Sequence, residues 1–79
     1  ANVIVLVKAW EPPMADLLDF LGELRIRTGR ERLVLVAPVG QDASGQVTRA
    51  APEDFDVWRR ALGRSGDPWI RPLQLGAGV

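Results

Sequence analysis

Two apolar runs, Val3 to Val7 and Leu33 to Val39, constrain this chain more than any other feature. Each is nearly continuous in β-branched and aliphatic residues, without the polar alternation of a strand that has one wet face. Parallel strands covered on both faces read this way. Between the runs, Met14, Leu17, Leu18, Leu21 and Leu24 recur at i, i+3, i+4, i+7 and i+10, the spacing of a helical stripe. Strand, helix and strand in that order make a crossover unit, and the class is α/β.

The boundaries follow from local chemistry. The first strand covers about Asn2 to Ala9 and ends at Glu11-Pro12-Pro13. Pro13 suits a first helical turn, where its missing N–H costs nothing. The helix then runs to about Thr28, with Asp16, Asp19 and Glu23 opposite the apolar stripe and Gly29 as its stop. Arg25 and Arg27 lie near its C-terminal end, where positive charge complements the helix dipole. The second strand spans Arg32 to Val39, and Gly40 to Ala50 reads as a polar loop, longer than the roughly 2–6 residues usual for such a connection. Pro52 opens a second helix, with Glu53 and Asp54 in its first turn and Phe55, Trp58 and Leu62 on one stripe with Ala61 beside them. Gly63 or Gly66 ends it. The last strand, about Trp69 to Leu75, contains Pro72, which cannot donate to a ladder and marks an edge.

The expectation is therefore a small β-α-β-α-β domain over residues 1–75, with a three-stranded, mainly parallel sheet, two principal helices and a flexible tail at 76–79. Two arrangements remain open. Right-handed crossovers put both helices on one face if the strands lie in chain order, or on opposite faces if the first strand is central. The first arrangement leaves an apolar sheet face for the rest of a parent chain, a second copy or a partner to cover. In either, Leu35 is expected in the core, and Leu35→Asp is expected to unfold the chain.

Composition removes whole classes of function. The chain has 79 residues, enough for one domain, and 47% of them are hydrophobic against 25% charged, as in a folded globular protein. Lys and Arg total 10 and Asp and Glu total 10, a net charge of zero, which leaves no electrostatic footprint for nucleic acid or an anionic membrane. Arg25, Arg27, Arg30 and Arg32 gather locally, but Glu23 and Glu31 interleave with them. There is no cysteine and no histidine, so thiolate chemistry, the commonest general base and the commonest metal ligand are all missing. No apolar run is long enough for this segment to insert into a membrane. The opening Ala1-Asn2-Val3, almost inside a strand and without an initiator Met, is read as the start of a domain cut from a longer protein, with Met removal before Ala as the other reading.

Ligands of open α/β sheets bind outside the carboxyl ends of the strands. That edge gathers Lys8, Trp10, Glu11, Gln41, Asp42, Ser44, Thr48 and Arg49, the candidate ligand-binding set. In a shallow pocket there, Lys8 or Arg49 would meet an anion and Trp10 would stack on a ring. The competing reading is that small polar residues simply populate loops. Gly40 to Gly45 lacks the Gly-Lys-Ser/Thr of a phosphate loop. Asp16 with Asp19, and Asp54 with Asp56, lie on helices, where solvation or the dipole accounts for them. Ser44 and Ser65 have no histidine to activate them, and only Lys8 could stand in as base. No catalytic residue, metal or cofactor is assigned. Trp58 belongs to the core stripe, Trp69 to a packing or boundary position, and Trp10 is the best candidate for an exposed contact.

The order of apolar strand, Ala-x-x-Pro turn, acidic-leucine helix and Leu33-Val34-Leu35-Val36 resembles the C-terminal half of a GTPase domain. Where such domains carry the guanine-reading Asn-Lys-x-Asp, this chain has Ala37-Pro38-Val39-Gly40, so the resemblance implies no guanine recognition. Over most of its length the chain is more similar to the C-terminal soluble domain of an uncharacterised family of bacterial membrane-anchored proteins. Val7-Lys8-Ala9-Trp10-Glu11-Pro12-Pro13, Val57-Trp58-Arg59-Arg60 and Gly66-Asp67-Pro68-Trp69 carry that likeness. It implies a Rossmann-like cytoplasmic domain of an inner-membrane protein, with the remainder of the parent chain or a GTPase-like protein as partner. The expected function is a non-catalytic interaction or regulatory module. The alternative is a domain that senses a nucleotide or similar anion at the carboxyl edge.

Overall fold

The computed structural model describes residues 2–29 and 32–76, so expectations that fall on Ala1, Arg30, Glu31 and 77–79 lie outside the described residues. Six elements follow in order: β1 (Val3–Lys8), α1 (Ala15–Thr28), β2 (Val34–Gln41), β3 (Val47–Arg49), α2 (Pro52–Arg64) and β4 (Ile70–Pro72). Pro12 and Pro13 hold the chain extended before α1, and Met14 stands at its N-cap without a side-chain hydrogen bond. Gly29, at φ 114°, ends it in a conformation that a side chain would resist. Pro52 sits in the first turn of α2 with Glu53 and Asp54, as the sequence suggests.

The sheet has four strands and is mixed, against the expected three-stranded, mainly parallel one. The additional strand is β3, which comes from the stretch read as a loop. β2 runs on to Gln41, turns, and pairs antiparallel with β3, Gly40 opposite Thr48 and Gln41 opposite Val47. Asp42 Oδ1 organises the turn, accepting hydrogen bonds from Ser44 N–H at 2.9 Å, Ser44 Oγ at 2.6 Å and Gln46 N–H at 3.0 Å. Gly45 closes it at φ 85°, the left-handed position that short hairpins give to glycine.

β2 is the centre of the sheet. It pairs parallel with β1 along one side, and on the other with β4 over Val34–Val36 and with β3 over Val39–Gln41. Pro38 falls in the gap between these two short partners. Its neighbours Val34 and Val36 turn their polar groups toward the β4 side, Val34 N–H to Trp69 O and Val36 O from Leu73 N–H. The N–H that Pro38 lacks would therefore point where no ladder partner stands, and so a proline survives in a central strand.

The parallel strands lie in chain order, and both helices pack on the same face, against β2 and β4. Leu21, Val34, Val36, Trp58, Leu62 and Ile70 form the core, with Leu17, Leu18, Leu24, Val5 and Val7 packed around it. The shortest dimension, 19 Å, is that of one helical layer on one sheet. The expectation that the apolar strands are covered on both faces is therefore corrected. Burial alternates along β1, with Ile4 and Leu6 at 55% and 58% exposure between half-buried valines. Leu35, expected in the core, is out of phase with Val34 and Val36 and faces the uncovered side. Met14, placed on the helical stripe by spacing, is exposed because it precedes the helix.

An uncovered sheet face and its rim

Register places Ile4, Leu6 and Lys8 of β1 beside Leu35, Ala37 and Val39 of β2, and Val39 and Gln41 beside Arg49 and Val47 of β3. Arg71 of β4 is the partner of Leu35. Alternation puts all of these on the face opposite the helices. Its centre is apolar, Ala37 and Val39 being buried and Leu35 half-buried while Ile4, Leu6 and Val47 are exposed, and its rim carries Lys8, Arg49 and Arg71. Lys8 and Arg49 flank Val39 on either side, so their Cα atoms are roughly 10 Å apart, two strand spacings.

The eight residues singled out at the carboxyl edge do not form one cluster. Lys8, Trp10 and Gln41 line a hollow of about 200 Å³ with Leu6, Val39 and Val47 at the carboxyl end of the open face. Trp10 is 50% exposed there. Arg49 shares that face, whereas Thr48 alternates to the other side, where its Oγ1 crowds Gly40. Glu11 stands 3.9 Å from Lys8 Nζ, and both side chains are well exposed, so the pair holds Lys8 only weakly. Asp42 and Ser44 belong to the hairpin tip and satisfy each other and the turn. These hydrogen bonds, the Ser44 hydroxyl first, hold the Asp42 carboxyl below the usual aspartate range.

Trp58 shows how the edge is held. Its indole, buried in α2, donates to the carbonyl of Ala9 at 3.2 Å, fixing the end of β1 just before Trp10. On the outer side of α2, Asp56 accepts from Arg59 and pairs with Arg60 at 2.7 Å. Arg59 hydrogen bonding and the nearby guanidinium charges hold Asp56 below its ordinary range. Other hollows lie away from this edge, about 410 Å³ between the end of α2 and β4 and about 550 Å³ along α1. Among the described residues no group of acidic, histidine or cysteine side chains is placed to hold a metal, and no helix is long and apolar enough to cross a membrane.

The sequence names loop residues for the site and leaves a bare sheet face as one of two arrangements, without singling out Ile4 or Leu6 on it. The signal available was the layer count: two helices and one sheet in chain order leave a face bare. No curated protein and no solved structure matches the chain. Residues 1–67 match the model of a family described as protein of unknown function (DUF2868), and the chain belongs to that family.

Proposed function

We propose that this domain is a non-catalytic interaction module whose open sheet face is the binding surface. The observation that carries this reading is a bare apolar face on which Ile4, Leu6 and Val47 are each more than half exposed, beside a rim of cations. Contiguous apolar surface of this kind on a small domain marks a contact with another protein surface. On the resemblance of its Lys8-Ala9-Trp10-Glu11-Pro12-Pro13 and Trp58-Arg59-Arg60 motifs, we place the domain on the cytoplasmic side of a bacterial membrane-anchored protein. The remainder of that chain and a GTPase-like protein are the partners this likeness favours.

These 79 residues contain no cysteine, so a thiol introduced among them marks a single position of the domain. Leu6→Cys is labelled by a thiol reagent in the purified domain and in the protein as expressed in its native cell, with Glu53→Cys on exposed α2 as control. The reading expects the thiol at position 6 to be protected in the cell and the thiol at position 53 to react equally in both settings. Equal labelling of the Leu6→Cys variant in both settings sinks it.

A second reading rests on the hollow by Lys8, Trp10 and Gln41, which offers a cation and an aromatic face to a nucleotide or other anion. Its volume, about 200 Å³, falls short of the roughly 300–1,000 Å³ of small-molecule sites, and the interaction reading is favoured for that reason. Ile4→Lys, exposed on the open face but outside that hollow, separates the two, since a sensor keeps its ligand while a docking face loses its partner.

A further inference from the structure

The chain carries a second unpartnered surface whose chemistry is the converse of the first. The inner stripe of α1, with Leu17, Leu18, Leu21 and Leu24, is taken up by the core. Its outer stripe, Asp16, Asp19, Phe20, Glu23 and Ile26, is exposed, with Phe20 at 52% and Ile26 at 72%. Residues three and four apart share a helix face, so two apolar side chains stand there among three carboxylates, with Arg27 following at the C-terminal end. The net charge of the whole chain is zero, yet the charge is segregated. The strands of the open sheet face carry Lys8, Arg49 and Arg71 and, among their described residues, no carboxylate.

We propose that the open sheet face of one copy takes up the outer face of α1 from a second copy. This rests on reading the open face as a docking surface and names its occupant. The alternatives within a pair of copies are less complementary. Sheet face on sheet face sets Lys8, Arg49 and Arg71 against their like, and α1 on α1 sets three carboxylates against three, with Arg27 as the one cation that face carries in each copy. Of these pairings the mixed contact sets the most opposite charge around apolar centres. It also supplies the strands with a second helical layer, the cover that apolar parallel strands normally have. The two surfaces lie on opposite sides of a two-layer domain, so the contact is heterologous and repeats head to tail. Salt weakens it, because the rim charges are exposed.

Sedimentation velocity tests this with two variants, Leu6→Lys in the sheet face and Phe20→Lys on α1. Both positions are exposed, and amide spectra confirm that each variant folds. The wild type is expected to grow in mass with concentration at low salt and to revert toward monomer at high salt. Each variant alone self-associates roughly tenfold more weakly or worse. Mixed one to one, they form a discrete heterodimer, because the mixture contains one intact sheet face and one intact α1 face that can meet once. A wild type that stays monomeric to millimolar concentration at low salt overturns the proposal, as does a mixture that stays monomeric. If Leu6→Lys blocks association and Phe20→Lys leaves it unchanged, the occupant is not α1, while the open face stands as a docking surface. Loss of that broader reading is seen separately, as equal labelling of the Leu6→Cys variant in and out of the cell.

Discussion

At the scale of the residue, Gly40 and Trp58 are held closely by their neighbours. A Cβ built on Gly40 would meet Thr48 Oγ1 at 2.8 Å and the Arg49 carbonyl oxygen at 2.9 Å. The hydroxyl can rotate away, but the backbone oxygen cannot. Gly40→Ala is therefore expected to cost about 1–3 kcal/mol, read from urea denaturation, and to loosen the β2–β3 pairing first. Trp58 combines a buried ring with a long-range hydrogen bond to Ala9. Trp58→Phe keeps most of the ring but orphans a buried carbonyl, for an expected loss of about 1–3 kcal/mol. Amide shifts at Trp10 and Glu11 should move with it. Either substitution leaving the midpoint unchanged would show that these contacts are dispensable.

Among the elements, the β2–β3 hairpin depends on one charge. Asp42 is held below the ordinary aspartate value of 3.8 by the donors of Ser44 and Gln46, so its carboxylate is favoured in the folded turn. A lowered folded value means that its contribution is present above the unfolded value and lost as pH falls through the folded one. The amide shifts of Ser44 and Gln46 should titrate together with a midpoint below 3.8, and a midpoint at or above that value would contradict the turn geometry. The hairpin is also where the sequence was hardest to read. α1, α2 and β2 announce themselves through periodicity and apolar runs, because the core enforces both. β3 is three exposed residues with no burial to impose a pattern, and only Asp42, Gly45 and the β-branched Val47-Thr48 hint at it. Phase along β2 was hidden for a related reason. Leu35 and Val36 look alike in an unbroken apolar run, yet Val36 is fully buried and Leu35 half-buried on the open face. The expected unfolding by Leu35→Asp thus belongs to Val36→Asp, which should abolish the thermal transition, while Leu35→Asp should retain one. The candidate site divided in the same way. Lys8, Trp10 and Gln41 line one hollow, while alternation sends Thr48 to the other face and the turn absorbs Asp42 and Ser44.

In the molecule as a whole, the two surfaces left bare, one basic and one acidic, should make colloidal behaviour depend on salt far more than a net charge of zero suggests. Osmotic second virial coefficients from light scattering should be negative at low salt and rise as salt is added. A salt-independent coefficient would mean that the segregated charges do not govern encounters. Kinship with DUF2868 makes the same pattern of faces testable across that family by comparing exposed positions rather than overall identity. One consequence of the strand arrangement concerns how the chain reaches this state. Among the described residues, β1, β3 and β4 each pair with β2 and with no other strand. No peripheral pairing can therefore be completed before β2 is in place, and the shortest loop to close is the one to β3. The kinetic nucleus should therefore contain β2, with its hairpin formed early and the two crossover strands docking afterwards as spokes on a hub.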